Sequence, residues 1–186
     1  LTGKVQDAGL VEGASMVVTN TCGQRLVDLW SQRIGTFGHP SAKNIVDLDK
    51  NIVPVPGTRE PLHLIGLLAK NLKKGPTKAL VTNPFYHAWR AGSISSGSEI
   101  YWIDALPENN YLPNLSNIPE NVLISSVIMY ICSPSNPHGS IADINYLNKA
   151  ILLARKYNFI LAVDECYSDI FRMNRPKPPG ALEAAA

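Results

Sequence analysis

No apolar run in the chain approaches the roughly 18 residues needed to cross a bilayer. The opening Leu1-Thr2-Gly3-Lys4 leads into no apolar core of the kind a secretory leader carries. Charge of one sign is also scarce. Lysine and arginine total 17, aspartate and glutamate 15, and the net charge is +2. So small a surplus makes no field that would draw the chain to nucleic acid or a lipid surface, and neither is expected as a partner. The basic pair Lys73-Lys74 reads as a solvated helix end. Cysteine is sparse: Cys22, Cys132 and Cys166 form no CxxC or Cys/His spacing, so no metal ligand set is predicted. Cys132 and Cys166 fall at apolar strand ends, where a free thiol packs as a small hydrophobe. A reducing, cytoplasmic compartment is the expectation. No internal repeat is present. The chain also starts without Met and ends mid-pattern at Ala184-Ala185-Ala186, which suggests a fragment or truncated gene product.

What remains is an ordinary globular composition, 45% hydrophobic over 186 residues, enough for one domain with a real core. Residues Leu1 to Asn20 carry little periodic signal. Arg25 to Ile34 places Leu26, Leu29 and Trp30 at helical spacing, and Thr36 to Lys43 reads as a loop. Asn51 to Val55 predicts a short strand, followed by a helix from about Pro61 to Leu72. Lys78 to Thr82 predicts a buried strand, and Asn83-Pro84 opens a helix over Phe85 to Ser95. Glu99 to Ile103 is a further strand. Pro107 to Pro119 is a polar, surface-bound connection. Val127 to Cys132 and Phe159 to Val163 are strands flanking a helix with Tyr146, Leu147, Ala150, Ile151 and Ala154 on one stripe. Ser140-Ile141-Ala142-Asp143 resembles a capping box before that helix. Pro176 to Gly180 is a loop, and Ala181 starts a new helix. Strands alternating with helices predict an α/β fold, three layers αβα around a mostly parallel sheet.

Candidate site residues lie where predicted strands end. In an open parallel sheet those carboxyl ends form the ligand crevice. Gly57-Thr58-Arg59 precedes a helix, whose unpaired first-turn N–H groups can hold a phosphate; a plain turn and N-cap is the favoured alternative on this signal alone. Tyr86 could stack on a flat ligand or pack in the core. Asn136, between prolines in Ser133–Gly139, could bond its own backbone or donate to a ligand oxygen. Asp164 ends a buried strand and must be paired or face a polar site. It could cap the next turn or oppose a protonated ring nitrogen. Tyr167, three residues on, could donate to a phenolic oxygen. Their joint placement at consecutive strand ends favours one site for a planar heterocycle.

Gly57-Thr58-Arg59-Glu60, Asn83-Pro84-Phe85-Tyr86, Ser133-Pro134-Ser135-Asn136-Pro137-His138-Gly139 and Asp164-Glu165-Cys166-Tyr167 resemble, in order and spacing, the motifs of class I/II aminotransferases of fold type I. The run from Val53 to Ala186 looks most like bacterial succinyldiaminopimelate aminotransferases. The likeness fades before about Asp47, and the first 20 residues do not fit. The resemblance implies pyridoxal 5'-phosphate as cofactor. It implies that Thr58 and Arg59 sit on the phosphate, that Tyr86 stacks on the pyridine ring, that Asn136 and Tyr167 bond the phenolic oxygen, and that Asp164 holds the ring nitrogen protonated. It divides the chain into residues 1–45, unassigned or part of a small domain, and 46–186, the cofactor-binding large domain. It also implies amino-group transfer between glutamate and a keto acid, and a homodimer. His138 stands where the family pattern has Thr. The family's Schiff-base lysine would fall beyond Ala186, so no catalytic residue is assigned and the chain alone is expected to be inactive. A non-catalytic remnant, or another fold type I enzyme such as a β-lyase, is the alternative.

Overall fold

The computed structural model describes residues 17–19, 52–55 and 57–185. The expected helix over Arg25–Ile34 and the loop over Thr36–Lys43 lie outside the described residues. Strand β1 (Val17–Thr19) pairs in parallel with β2 (Ile52–Pro54). Helix α1 (Arg59–Ala69) follows and tightens into a 3-10 turn at Lys70–Leu72. Then come β3 (Lys78–Asn83), α2 (His87–Ser95), β4 (Glu99–Asp104), the short α3 (Glu120–Ser125), β5 (Ser126–Cys132), α4 (Ile144–Tyr157), β6 (Ile160–Asp164) and α5 (Ala181–Ala185). The last four strands form one sheet in the order β4-β3-β5-β6, and every pairing in it is parallel.

All seven residues of β5 are buried, the mark of a strand covered on both faces. Alternate side chains divide the core in two. Leu80, Met129, Ile131 and Leu161 point to one face and pack against Val122 and Leu123 of α3 and Ala150, Ile151 and Ala154 of α4. Ala79, Val81, Ile128, Tyr130 and Ala162 point to the other, against Leu62, Ile65 and Ala69 of α1 and Ala88 and Trp89 of α2. This is the expected three-layer αβα arrangement.

On that second face α1 and α2 cross in backbone contact. A Cβ placed on Gly92 would stand 2.5 Å from the His63 carbonyl oxygen, and one on Gly66 would stand 2.9 Å from the Gly92 carbonyl carbon. The Tyr130 hydroxyl donates to the Leu62 carbonyl at 3.0 Å and fills the remaining gap beneath α1. Burial raises the pKa of this phenol above its ordinary 10.0.

Four expectations need correction. Tyr86 is the extended residue before α2, not part of the helix, because Asn83-Pro84-Phe85 carries the chain out of β3 first. Ser140 does not begin a capping box. Asp143 is itself the N-cap of α4, its Oδ1 accepting from the Tyr146 N–H at 2.7 Å. The connection 107–119 is not simply surface-bound, for Leu112, Leu115 and Ile118 are buried. Cys166 lies past the end of β6, in a turn, and is exposed, whereas Cys132 is buried. Among the described residues, no helix is long and apolar enough to cross a membrane.

Candidate cofactor site

Parallel register sets the carboxyl ends of β3, β5 and β6 along one rim of the sheet. At the end of β3, Asn83 Nδ2 donates to Asp104 Oδ1 at 2.9 Å across the β3–β4 pair, so this amide is spent on the sheet. Phe85 packs on Trp102 with ring centroids 4.9 Å apart. Tyr86 sits edge-on to Trp89 at 6.2 Å, and its hydroxyl accepts from Arg59 Nε at 3.2 Å. That bond ties the start of α1 to the end of β3 and raises the pKa of the Arg59 guanidinium. Thr58 takes the N-cap position of α1, and no side-chain cap closes it. The N–H groups of the first helical turn have no intrahelical acceptor.

At the end of β5 three serines shape the next turn. Ser133 N–H donates to the Asp164 carbonyl at 3.0 Å and prolongs the β5–β6 ladder by one bond. Ser133 Oγ accepts from Ala142 N–H at 3.0 Å, and Ser135 Oγ from Ser140 N–H at 3.0 Å. Gly139, at φ 69°, returns its N–H to the Ser135 carbonyl at 2.7 Å. A side chain at that φ would be strained. The closed turn pushes Asn136 outward, where its Nδ2 donates to the Tyr167 hydroxyl at 3.3 Å. The alternative, Asn136 bonding its own backbone, is not the contact observed.

At the end of β6, Asp164 is half-buried, and its Oδ1 accepts from the Cys166 N–H at 3.2 Å. The capping reading of Asp164 therefore holds geometrically, and one carboxylate serving a turn can still face a ligand with its other oxygen. The exposed Tyr167 has its pKa raised, chiefly by the neighbouring Cys166 thiol. Glu165 turns the other way and accepts from Ala181 N–H at 2.6 Å, fixing the start of α5.

The structure thus joins Asn136 to Tyr167 and Arg59 to Tyr86, with Asp164 one strand end away. Sequence reasoning passed over Tyr111. This ring stacks on His138 at 4.3 Å and 11° between planes. Together with Thr82, Pro84, Cys132 and Asn136 the two rings line a small cavity of about 20 Å³, room for a water-sized group. The only signal was Asn109-Asn110-Tyr111, where Asn110 and Tyr111 take positive φ of 53° and 55° and fold the chain back. A larger cleft of about 360 Å³ runs along β4 past Trp102, Asp104 and Glu108, and none of the predicted site residues lines it.

Comparison with known proteins decides among the families this donor set could serve. The sequence matches the model of "Aminotransferase class I and II" over residues 12–180. The chain belongs to the class I and II aminotransferases. The match begins well before Asp47, so the family likeness reaches further toward the amino end than the motifs alone suggested. An LL-diaminopimelate aminotransferase of Aquifex aeolicus (strain VF5) is 34% identical over 140 residues, which is 74% of this chain and 35% of that protein. A second, from Gloeobacter violaceus, is 31% identical over 155 residues, covering 83% of this chain and 36% of that protein. Among solved structures, an aminotransferase from Neisseria meningitidis Z2491 superposes over 99% of this chain and 45% of its own, with TM-score 0.76 and 31% identity. A probable N-succinyldiaminopimelate aminotransferase from Thermus thermophilus, TM-score 0.64 over 96% of this chain and 55% of its own, is only 18% identical and supports the fold alone. This aminotransferase chain spans about a third of the length of the curated relatives it matches.

The family works with pyridoxal phosphate. The donor chemistry on the rim fits that group. Asn136 and Tyr167 form a polar pair suited to a phenolic oxygen. Asp164 offers a carboxylate for a ring nitrogen, and the open N-terminus of α1 beside Arg59 suits a phosphate.

Proposed function

We propose that residues 46–186 form the cofactor-holding large domain of a pyridoxal-phosphate aminotransferase, and that the whole protein is a homodimer passing an amino group between glutamate and a keto acid. The observation that carries this reading is the Asn136–Tyr167 contact at 3.3 Å beside Asp164. It draws two turns from adjacent strands onto one point, and nothing in the packing of the core requires it. Relatives named LL-diaminopimelate aminotransferase support a substrate with an amino and a carboxyl group at one carbon.

In this reading the backbone N–H groups at Thr58 and Arg59, with the Arg59 guanidinium, hold the phosphate. Tyr86, fixed by Arg59, offers its ring as a flat wall. Asn136 and Tyr167 orient the phenolic oxygen, and the Asp164 carboxylate keeps a proton on the ring nitrogen. The cofactor supplies the electron sink for a carbanion at the substrate α-carbon. The chain's part is to position the ring and maintain that protonation.

Titration of the chain with pyridoxal phosphate, followed by quenching of intrinsic fluorescence, tests the assignment. Saturable binding is expected. Asp164→Asn keeps the shape and removes the charge, so binding should weaken by about tenfold or more, the worth of one hydrogen bond to a charged group. Absence of saturable binding by the parent chain would refute the reading, as would equal affinity in the variant.

A further inference from the structure

The turn that carries Asn136 is closed at its base and loose at its tip. Ser133, Ser135 and Gly139 make the bonds of the base. Among the described residues, Asn136, Pro137 and His138 take part in no backbone–backbone hydrogen bond, and all three are exposed. Side chains hold this tip instead, from two separate segments. Asn136 Nδ2 donates to the Tyr167 hydroxyl at 3.3 Å. The His138 ring lies flat on Tyr111, with centroids 4.3 Å apart and 11° between planes.

Tyr111 reaches that place along a costly backbone. Asn110 and Tyr111 both take left-handed φ, 53° and 55°. Residues with a side chain disfavour this region, and it persists where the surroundings over-determine it. Here they do. The Tyr111 N–H donates to the Leu106 carbonyl at 2.9 Å, Leu112 is buried in one cluster with Ala142, Leu147 and Ala181, and the Tyr146 hydroxyl donates to the Pro113 carbonyl at 2.8 Å. The chain on both sides of Tyr111 is thus anchored, yet Tyr111 itself stays 38% exposed. Burial of its ring is not what this backbone achieves. What it achieves is the stack on His138, beside the cavity of about 20 Å³ that both rings line together with Asn136.

We infer that Tyr111 is a positioning residue of the cofactor site: stacked on His138, it sets the tip of the turn so that the Asn136 amide reaches Tyr167 and, with it, a phenolic oxygen of the ligand. Only that last step rests on the function proposed above. The link from Tyr111 through His138 to Asn136 belongs to the chain without cofactor. What it requires is a flat ring at each of the two positions. Tyr111→Phe keeps that requirement, while Tyr111→Leu and His138→Ala each remove it.

The first measurement uses the isotope-labelled full chain with no cofactor. A nuclear Overhauser effect between the Asn136 side-chain amide protons and the Tyr167 ring is expected in the parent and in Tyr111→Phe. It should vanish in Tyr111→Leu and His138→Ala. His138 is exposed at the tip, so His138→Ala leaves the core intact and carries the test should Tyr111→Leu not fold. Persistence of the effect in His138→Ala would overturn the proposal, and so would its loss in Tyr111→Phe. The second measurement is a fluorescence titration with pyridoxal phosphate and with 3-deoxypyridoxal phosphate, which lacks the phenolic oxygen. His138→Ala should weaken binding of the first by about fivefold, the worth of one neutral hydrogen bond, and leave the second unchanged. Equal weakening of both would make the stack a general support of the fold and overturn the positioning role. A parent chain that binds neither compound would refute the cofactor assignment, while the amide signal would still decide whether Tyr111 positions Asn136.

Discussion

The interior of the sheet and its carboxyl-end rim are held together by different physics. Inside, β5 is covered on both faces, and Ala79, Leu80, Val81, Ile128, Met129 and Tyr130 have almost no exposure. Each large side chain among them contributes about 1.5–3 kcal/mol through burial. On the rim, the candidate residues meet through single hydrogen bonds of 3.2–3.3 Å between groups open to solvent. Bonds of that kind are worth about 1 kcal/mol or less to folding, because water competes for the same groups. Stability therefore sits in the layer that does no chemistry, and the rim is left free to trade its contacts for a ligand.

The sharpest break in this contrast is Gly92→Ala. The added methyl meets the His63 carbonyl at 2.5 Å, and neither helix backbone can yield without unpacking Trp89 or Leu62. A loss of about 3 kcal/mol is expected, seen as a lower urea midpoint. A rim substitution of equal size should not approach it. Second is Lys73→Met. The Lys73 ammonium donates to the carbonyls of Ile124, Ser126 and Tyr157 at 2.8, 2.6 and 2.7 Å, pinning the ends of α3 and α4 to the start of β5. Burial lowers its pKa, yet the three bonds keep the charge useful. Removing the donor strands those acceptors, and about 2 kcal/mol should be lost by the same measurement. Lys73, read from sequence as a solvated helix end, is thus a structural strut.

The same division governs what could be read from the residues. The strands of the interior were legible because burial writes itself into composition: the apolar run Val127 to Cys132 predicts the covered strand that β5 is, one residue longer at Ser126, and Leu147, Ala150, Ile151 and Ala154 fall on the stripe their spacing predicts. The rim was legible as a set of residue types but not as contacts. Asn136 and Tyr167 are 31 positions apart, and only the β5–β6 register brings them together. The start of α2 was placed two residues early, at Phe85 instead of His87, because Tyr86 takes extended backbone as the N-cap. Helix α3 went unseen because six residues behind Pro119 carry too little periodicity, although Val122 and Leu123 anchor it. Tyr111 was invisible because its position depends on a left-handed backbone that its sequence does not demand.

Glu165 stands between the two regions and gives a pH test of smaller size. Burial holds its carboxyl above the ordinary 4.5, so the fold favours the protonated form. Stability from this group is fully present below pH 4.5 and is lost as pH rises through the folded-state value. Glu165→Gln keeps an acceptor for the Ala181 N–H and removes the titration. The variant should show a flatter dependence of urea midpoint on pH above 4.5 than the parent chain, with the two matching most closely at the acid end. Identical slopes would mean that Glu165 is charged and solvated in the fold.

The smallest stability effect should come from the residue on which the functional reading leans most. Asn136→Ala deletes the amide that reaches Tyr167, but the turn beneath it is closed by Ser133, Ser135 and Gly139 through bonds that do not involve the side chain. Asn136 is exposed, so no cavity forms. The urea midpoint should move by less than about 0.5 kcal/mol equivalent, while affinity for pyridoxal phosphate should fall by about tenfold through loss of one donor. A rim that serves a ligand must show this separation of stability from binding. If Asn136→Ala instead cost as much stability as Lys73→Met and left binding unchanged, the Asn136–Tyr167 contact would be part of the scaffold, and the boundary between interior and rim would have to be drawn further out.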